Sequence, residues 1–359
     1  MSIRFHAAWN YFRVLSKLRE CVALENAAVR REVLCPEEEI EAEPAIFLNG
    51  QLEKALDVPI YTTMDYEHWR VKGGRRVLDP TVAYEIRNVA LMDGLFVKGH
   101  RAKWIVARDN LTVEQPDPIE MDAAALANVW TGVRFFGHWL RESCSTYVMA
   151  RDFAKPLCIR TPNWTDKATY ADFFDQDWTS TDRAFIDRLF FFDDLSQNSL
   201  KRQHYEALRE KIRNRFTPEK PGGIVYLKRG PSAEARIVEN EDVVINELAK
   251  RGVEIMEAET TPLEKILSHL LEARVVITIE GSQQEHAVFT LPLSSALITL
   301  QPPYRFNNLS KDWTQCIGMK YGFVIGDPSE NGFSINIDEL LQTIDLAIAR
   351  ESHQPTRTV

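Results

Sequence analysis

Basic side chains gather where an apolar run ends in the second half of the sequence. Lys228 and Arg229 close the run GGIVYL, and Arg236 follows after a short polar stretch. Guanidinium groups bind phosphate oxygens through paired hydrogen bonds, so this pattern favours a phosphate-bearing ligand. Residues 201–236 contain ten Lys or Arg and four Asp or Glu, in a chain whose formal charge is −9. A solvated basic helix face is the alternative explanation for 201–215.

A second candidate follows the apolar run RVVITI, where the chain reads Glu280, Gly281, Ser282 and Gln283. Glycine lets a ligand approach the backbone closely, and unpaired amides at a helix start attract negative charge. The pattern therefore predicts a cradle for a diphosphate. Glu280 would repel a phosphate at short range, so we expect its carboxylate to accept hydrogen bonds from sugar hydroxyls. Helix capping without any ligand is the alternative.

Two histidines complete the set of candidates. His138 precedes Glu142 by four residues, which places both side chains on one face of a helix. An imidazole paired with a carboxylate can remove a proton from a hydroxyl near neutral pH, and a structural pair is the alternative. His286 lies one turn inside the helix that follows Gly281, where a core position and a ligand-binding role both stay open.

Metal binding and nucleic-acid binding are both disfavoured. The five cysteines are scattered without metal-ligand spacing, which predicts reduced thiols. Asp175 and Asp177 have the spacing of a DxD motif, but they follow two phenylalanines in an aromatic segment, so we predict no metal there. Acidic residues outnumber basic ones by 52 to 43, which argues against a general nucleic-acid partner.

The candidates in the second half need a sheet that brings strand ends together. From residue 221, strands alternate with helices, and the strands read GGIVYLKR, VEIMEAE, RVVITIEG, SALITLQP and YGFVIGD. This alternation predicts a parallel sheet with helices on both faces, and ligands bind beyond the carboxyl ends of such strands. Thr261 is predicted to cap the helix TPLEKILSHLLEAR, and Gly252 to end the helix before it.

The first half predicts a different domain. Short apolar runs alternate with turns, which favours a mixed sheet, and they read AIFLNG, VPIYTT, RRVLD, AYEIRNVALM, GLFVKG and KWIVARD. A length of 359 residues predicts two domains. We place them at 1–220, with a helical lead-in over 1–34, and at 221–335, followed by a C-terminal helix and tail over 336–359.

The lead-in helix carries Arg4, Arg13, Lys17 and Arg19 beside aromatic residues. It either lies on an anionic membrane surface or packs against a domain or a second subunit. No apolar stretch is long enough to span a membrane, and no signal peptide is evident. We therefore expect a cytoplasmic protein, with peripheral contact at the inner face of the membrane as the alternative. The sequence leaves open whether the chain forms a homo-oligomer.

These segments, in this order, resemble glycosyltransferase family 61, the DUF563 group. The resemblance is clearest over residues 224–325, with the two arginines, a helix beginning at Asn240-Glu241, and a glycine-containing helix start ahead of F-x-x-P. RFFGHWLRE is similar to the family's upstream His-aromatic-Leu element. Where many members have His-Gly-Ala-Gly-Leu-Thr-Asn, this sequence has Glu280 at the first position and His286 at the last.

The resemblance implies a GT-B architecture, an α/β fold with two Rossmann-like domains facing a central cleft. It implies inverting transfer of a sugar from a nucleotide donor to a polysaccharide, lipopolysaccharide or lipid-linked glycan, without a bound metal or other cofactor. We expect a UDP-linked donor. Residues 1–220 would be the acceptor-side domain, with His138 facing the acceptor, and residues 221–335 would bind the donor. The implied donor-binding residues are Lys228, Arg229, Arg236, Gly281, Ser282, Gln283 and His286.

Two alternatives use the same predicted cradle. A GT-B-like nucleotide-sugar epimerase or hydrolase would act on the donor without an acceptor. A non-catalytic nucleotide-sugar-binding protein is suggested by the glutamate at position 280.

Overall fold

The computed structural model describes residues 2–105, 117–230, 236–350 and 357–358. Within these ranges the strands are β1 (Val22–Ala23), β2 (Arg30–Cys35), β3 (Glu38–Ala42), β4 (Gly74–Leu78), β5 (Thr81–Met92), β6 (Leu95–Lys98), β7 (Arg101–Trp104), β8 (Ile119–Leu126), β9 (Pro156–Cys158), β10 (Thr179–Ser180), β11 (Arg183–Asp193), β12 (Ile224–Lys228), β13 (Glu254–Glu257), β14 (Val275–Ile279), β15 (Ala296–Gln301), β16 (Lys320–Ile325), β17 (Asp327–Pro328), β18 (Phe333–Ser334) and β19 (Arg357–Thr358).

The helices of the same ranges are α1 (Ile3–Leu18), α2 (Met64–Lys72), α3 (Trp130–Arg134), α4 (Phe136–His138), α5 (Cys144–Ala150), α6 (Lys167–Phe173), α7 (Ser199–Arg215), α8 (Glu241–Lys250), α9 (Leu263–Leu270), α10 (His286–Thr290), α11 (Leu309–Ile317) and α12 (Ile337–Ala349). A π-helical turn, Trp139–Ser143, joins α4 to α5, and a 3₁₀ turn, Ser282–Glu285, leads into α10.

The elements form two units. The first unit comprises Met1–Glu37 and Asp79–His204, and the second comprises Glu38–Leu78 and Tyr205–Val359. The sequence prediction instead assigns 38–78 and 205–220 to the N-terminal domain and separates 336–359. The difference has a physical basis in backbone pairing, because the Ile46 amide donates to the carbonyl of Tyr321 at 2.8 Å. The sequence of residues 38–78 alone does not predict this backbone pairing with β16.

The second unit contains the predicted parallel sheet. Five strands pair in the order β13-β12-β14-β15-β16, and every pair is parallel. Tyr226 and Ile277 share one core with Leu248 of α8 and Ile344 of α12. The alternate residues, such as Val276, are buried as well, so both faces of the sheet are covered. The prediction of a parallel sheet in this part of the chain is confirmed.

The first unit contains a nine-stranded mixed sheet with the principal order β1-β7-β6-β5-β11-β8-β9-β10. The long strands β5 and β11 are antiparallel, whereas β11 and β8 are parallel. Asp93 and Gly94 both have positive φ, the geometry of a tight hairpin turn, and they fold β6 back onto β5. The mixed sheet agrees with the strand pattern of the sequence. It is not the parallel, Rossmann-like sheet that the resemblance implies for this domain.

Helix α1 packs against the sheet of the first unit. Phe5 is buried among residues of β5, β6 and β11, and Trp9 and Phe12 pack against the same cluster. Arg4 forms an ion pair with Asp187. The aromatic face of the lead-in helix is therefore occupied by the domain, as one of the two predicted alternatives requires. Within the described ranges, no helix combines the length and apolar character needed to cross a bilayer.

Several local predictions are wrong. VPIYTT forms no strand, and AIFLNG contributes only an isolated parallel bridge between Ile46 and Gly322 of β16. Helices α2 and α11 were not predicted. Helix α9 has Pro262 at its N-cap, so Thr261 does not cap it, whereas Gly252 follows α8 with the expected positive φ. The run KWIVARD ends its strand at Trp104, and 106–109 lie outside the described ranges.

Burial of Lys311 in α11 should make the stability of the fold depend on pH. Its side chain is buried and donates to Gln315, and burial, reinforced by Arg76, lowers the pKa of its ammonium to about 7. The unfolded chain binds more protons above that pKa, so this group makes folding more favourable as the pH rises from about 7 to about 10. We expect Lys311→Met to be more stable than wild type at about pH 6.5 and to lose most of that advantage by about pH 9.5.

Urea unfolding at the two pH values measures this difference. Lys250→Met is the matched control, because Lys250 is exposed and its loss should have no comparable pH dependence. An equal gain for Lys311→Met at both pH values would contradict the assignment.

Candidate functional site

The parallel sheet of the second unit brings three strand ends to one edge. Arg229 follows β12, Glu280 follows β14, and the segment 302–307 follows β15. These three strands are neighbours in the order β12-β14-β15 and run in the same direction. Their carboxyl ends therefore lie side by side, which is where ligands bind in open parallel sheets.

Glu280 is the centre of a polar cluster at this edge. Its carboxylate is buried, with Oε2 2.8 Å from Arg236 Nε and accepting from Arg305 Nε at 3.4 Å. Its Oε1 accepts from Asn307 Nδ2 at 2.9 Å. Its main-chain oxygen accepts from Nη1 of Arg229 at 3.1 Å and from Nη1 of Arg236 at 2.9 Å. We call Glu280, Arg229, Arg236, Arg305 and Asn307 the Glu280 cluster.

This arrangement gives Glu280 a different chemistry from the predicted one. Both carboxylate oxygens already accept hydrogen bonds or ion pairs from the protein, and the group holds two guanidinium groups at the strand ends. An internally engaged carboxylate organises its neighbours. It fits the role of a positioning residue for the arginines better than that of an acceptor for sugar hydroxyls.

Gly281 makes room for Arg229. A Cβ at this position would collide with Arg229 Nη1 and would lie 2.6 Å from Gln283 Oε1. Because that space is open, Arg229 Nη1 donates to Gln283 Oε1 at 3.2 Å. The side-chain nitrogen Nε2 of Gln283 donates in turn to Thr278 Oγ1 at 3.1 Å. The Gln283 side chain thus links the Arg229 guanidinium to the end of β14.

The turn after Gly281 is tighter than the predicted helix start. The Gln284 amide donates to the carbonyl of Gly281 at 3.3 Å, which closes a 3₁₀ turn and engages one of the amides at this helix start. Ser282 and Gln283 are the remaining predicted amide donors. His286 is buried, and burial lowers the pKa of its imidazole to about 4, so it is neutral at pH 7 and brings no positive charge.

Lys228 lies on the other side of β12 from its neighbour Arg229. Its Nζ is 3.8 Å from Glu241 Oε2, and the same carboxylate accepts a hydrogen bond from Tyr226 at 2.7 Å. Side chains alternate between the faces of a strand, so adjacent basic residues cannot point the same way. Lys228 therefore contacts the first turn of α8.

A second carboxylate lies near the same strand end. A Cβ at Gly230 would collide with the side chain of Glu259, so Glu259 packs directly against the residue after Arg229. Residues 231–235 lie outside the described ranges.

Arg305 and Asn307 are not among the site residues predicted from the sequence. Both lie in the segment after β15, a predicted strand. Ligands bind beyond the carboxyl ends of parallel strands, so the signal for both residues is their position directly after this strand. Tyr61 was also missed, and its hydroxyl lies 3.5 Å from Arg305 Nη2. Its signal was hidden because VPIYTT was predicted as a strand of the other domain.

His138 and Glu142 meet in the first unit as predicted. His138 Nδ1 is 3.1 Å from Glu142 Oε2, which also accepts a hydrogen bond from Thr131 Oγ1 at 2.9 Å. Arg141, which is not among the residues predicted from the sequence, donates from Nη2 to Glu142 Oε1 at 2.7 Å. Burial opposes ionisation of Glu142, but Arg141 and His138 outweigh it and hold the pKa of the carboxyl well below its usual range. Glu142 is therefore a carboxylate at neutral pH.

The protonation of His138 determines what this group can do. Arg141 Nη2 is also 3.0 Å from His138 Nδ1, a contact that requires a lone pair on Nδ1. The contact with Glu142 requires a proton there. When Nδ1 carries the proton and donates a hydrogen bond to Glu142, the lone pair lies on Nε2, and the His138 side chain is one quarter exposed. This tautomer can accept a proton from a hydroxyl.

The remaining acidic candidate has structural contacts. Gln176, between Asp175 and Asp177, donates from Nε2 to the carbonyl of Cys144 at 2.8 Å, and the Asp177 amide donates to Tyr147 Oη at 2.9 Å. In the part of the chain that the structure describes, no three His, Cys, Asp or Glu side chains are grouped so that they could hold a metal ion. The five cysteines are free thiols.

One protein family matches this chain. Residues 136–297 match the model of the family Glycosyltransferase 61. The matched segment includes His138, Glu142, Arg229, Arg236 and Glu280, and it ends before the segment that follows β15.

The other comparisons add little. No curated protein matches the chain. Among solved structures, the metal-soaked Flv1 flavodiiron core from Synechocystis sp. PCC6803 is similar at 12% sequence identity and a TM-score of 0.23. That similarity covers 46% of this chain and 42% of the Flv1 chain, so less than half of its length is spanned. A likeness at this score carries no argument about fold or function.

Loss of the Glu280 charge should destabilise the second unit. Glu280→Gln keeps the shape of the side chain but leaves Arg236 and Arg305 without their opposing charge. Because a buried ion pair is strongly destabilised when one partner is removed, we expect a loss of roughly 3 kcal/mol in the free energy of unfolding. Denaturant unfolding of both proteins measures it.

Glu247→Gln provides the matched control, because Glu247 pairs with Lys250 on an exposed face of α8. We expect it to cost less than about 0.5 kcal/mol. If the two variants lost the same stability, Glu280 would not be the organising charge of the cluster.

Proposed function

We propose that this chain transfers a sugar with inversion from a nucleotide donor to a glycan acceptor. The premise is that residues 136–297 match glycosyltransferase family 61, which makes the chain a glycosyltransferase. One structural observation supports a nucleotide donor: three guanidinium groups converge on Glu280 at the carboxyl ends of β12, β14 and β15. Such an edge suits a ligand that bears phosphate groups.

The donor diphosphate belongs, in this proposal, to the second unit. A departing nucleoside diphosphate gains negative charge as the bond to the sugar breaks. Preorganised guanidinium groups and backbone amides stabilise that charge without a bound cation. Arg229 is held in place by Glu280 and Gln283, and Arg236 by Glu280, so both are oriented before a ligand arrives. We expect a UDP-linked donor and no metal or other cofactor.

The acceptor hydroxyl is assigned to His138 in the first unit. Ionised Glu142 accepts a hydrogen bond from Nδ1–H of His138, which leaves the lone pair on Nε2 as the base. The acceptor O–H proton moves to Nε2 while the acceptor oxygen forms a bond to the anomeric carbon. The bond from that carbon to the diphosphate oxygen breaks, and its electron pair leaves with the diphosphate. A single displacement of this kind inverts the anomeric configuration.

The acceptor class that we propose is a polysaccharide, a lipopolysaccharide or a lipid-linked glycan. A cytoplasmic location, with or without peripheral membrane contact, and a homo-oligomeric state remain proposals of the same kind. A nucleotide-sugar epimerase or hydrolase and a non-catalytic binding protein gain no support from the family match.

Nucleotide binding should depend on Arg229. Removing one charge-assisted contact to a phosphate costs about 1.5–3 kcal/mol, so we expect Arg229→Met to weaken UDP binding by about tenfold or more. Isothermal titration of wild type and variant with UDP, GDP and CMP measures the affinities. Arg251→Met is the control, because Arg251 pairs with Asp345 on the surface of the same unit. Equal affinities in Arg229→Met and wild type would remove the assigned role.

Sugar transfer should depend on His138 without a matching change in donor binding. Loss of a general base typically costs about 10²–10⁴-fold in rate, so we expect His138→Asn to lower kcat by about a hundredfold or more. The Kd for UDP should stay within about twofold, since the acceptor base does not bind the diphosphate. Product analysis with a panel of nucleotide sugars and acceptors provides the rate.

Arg151→Gln serves as the control, because Arg151 is exposed in the same unit. Full activity in His138→Asn would exclude the imidazole as the base. An epimerised or hydrolysed sugar formed by wild type in the absence of acceptor would favour the alternative enzyme class.

A further inference from the structure

A segment from the N-terminal part of the chain is fixed to the loop after β15. The amides of Leu56 and Asp57 donate to the carbonyl of Pro303 at 2.7 and 3.2 Å. The amide of Phe306 donates to the carbonyl of Asp57 at 2.8 Å. These bonds join residues 56–57 to both sides of Arg305, within the second unit.

The other end of the same segment is fixed as well. Thr62 Oγ1 donates to Glu67 Oε1 at 2.7 Å, and Glu67 Oε2 accepts from the amide of Asn308 at 2.7 Å. Thr63 caps α2 by accepting from the amide of Tyr66 at 3.2 Å. The irregular segment 56–63 is therefore held against the segment 303–308 at both ends.

Tyr61 lies on this segment, next to the Glu280 cluster. Arg305 connects the two, because its Nε donates to Glu280 at 3.4 Å and its Nη2 donates to Tyr61 Oη at 3.5 Å. The Arg305 side chain is 25% exposed, whereas that of Arg236 is 7% exposed. Tyr61 itself is 60% exposed. Arg305 thus extends from the buried carboxylate to the solvent-exposed rim.

The charges at this edge give Arg305 a distinct contribution. Three guanidinium groups, those of Arg229, Arg236 and Arg305, lie with two carboxylates, those of Glu280 and Glu259, which leaves one positive charge in surplus. Arg305 is more exposed than Arg236, so it can present positive charge to a diphosphate. A guanidinium and a phenol hydroxyl are both hydrogen-bond donors to phosphate oxygens.

We propose, on the basis of the proposed function, that Arg305 and Tyr61 form the outer part of the diphosphate site. Arg305 binds the phosphate oxygens as a third guanidinium, and the Tyr61 hydroxyl donates to the same diphosphate. Both residues lie outside the segment that matches the family model. The N-terminal segment 56–63 therefore adds a donor-binding residue to a site built by the C-terminal part of the chain.

Titration of the full chain with inorganic pyrophosphate and with UDP tests this assignment. We expect Arg305→Met to weaken both ligands by about tenfold or more, because a charge-assisted contact is lost. We expect Tyr61→Phe, which removes only a hydroxyl, to weaken them by about threefold to tenfold. Arg305→Lys should recover part of the affinity, since the charge remains but the planar fork is lost.

Tyr66→Phe is the matched control for Tyr61→Phe. Tyr66 is exposed on α2, stacks on Trp69, and has no contact with Arg305 among those that the structure describes. It should bind both ligands with wild-type affinity. Thermal unfolding of each variant without ligand checks that the second unit is intact.

The outcomes separate the two levels of inference. If wild type binds both ligands and the Arg305 and Tyr61 variants bind them equally well, the outer site is excluded and the proposed function stands. If wild type binds neither pyrophosphate nor UDP, the proposed diphosphate site itself is wrong, and the outer site is overturned with it.

Discussion

A buried carboxylate must be paired, and this requirement at Glu280 organises the second unit's candidate site. An unpaired charge in this position would cost several kcal/mol, so the loops that carry its partners cannot move independently. Arg236 reaches Glu280 from the chain between β12 and α8, whereas Arg305 and Asn307 reach it from the segment after β15. One buried carboxylate therefore links the segments at three strand ends. The parallel sheet brings these segments together, because neighbouring strands end at the same edge.

The first unit uses the same device on a smaller scale. Glu142 is buried, and Arg141 keeps it ionised while it contacts His138. In both units a carboxylate acts on its neighbours: it orients guanidinium groups in one and an imidazole in the other. This common principle explains why the acidic residues at positions 142 and 280 are engaged by protein groups. The atoms left for a ligand are the outer parts of the basic residues.

Features of the site that depend on nearby residues could be predicted from the sequence, whereas contacts between distant segments could not. Apolar runs identified the parallel sheet from residue 221, because strands buried on both faces consist almost wholly of apolar residues. Arg229, Arg236 and Glu280 were then found from the rule about strand ends. Lys228 neighbours Arg229 in the sequence, but its ammonium lies near Glu241 at the start of α8, a contact that the spacing alone did not indicate. Arg305 and Tyr61 were missed because their roles depend on packing between segments far apart in the sequence.

The sequence by itself determined the parallel sheet, its positions of strand ends, and the pairing of His138 with Glu142, because these depend on periodicity and short spacing. Only the tertiary structure decided that residues 38–78 belong to the second unit and that Tyr61 lies beside Arg305. It also decided that Glu280 is a partner for arginines. Such contacts join residues more than twenty positions apart, and their energies depend on which buried charges and backbone groups meet, which no local pattern encodes.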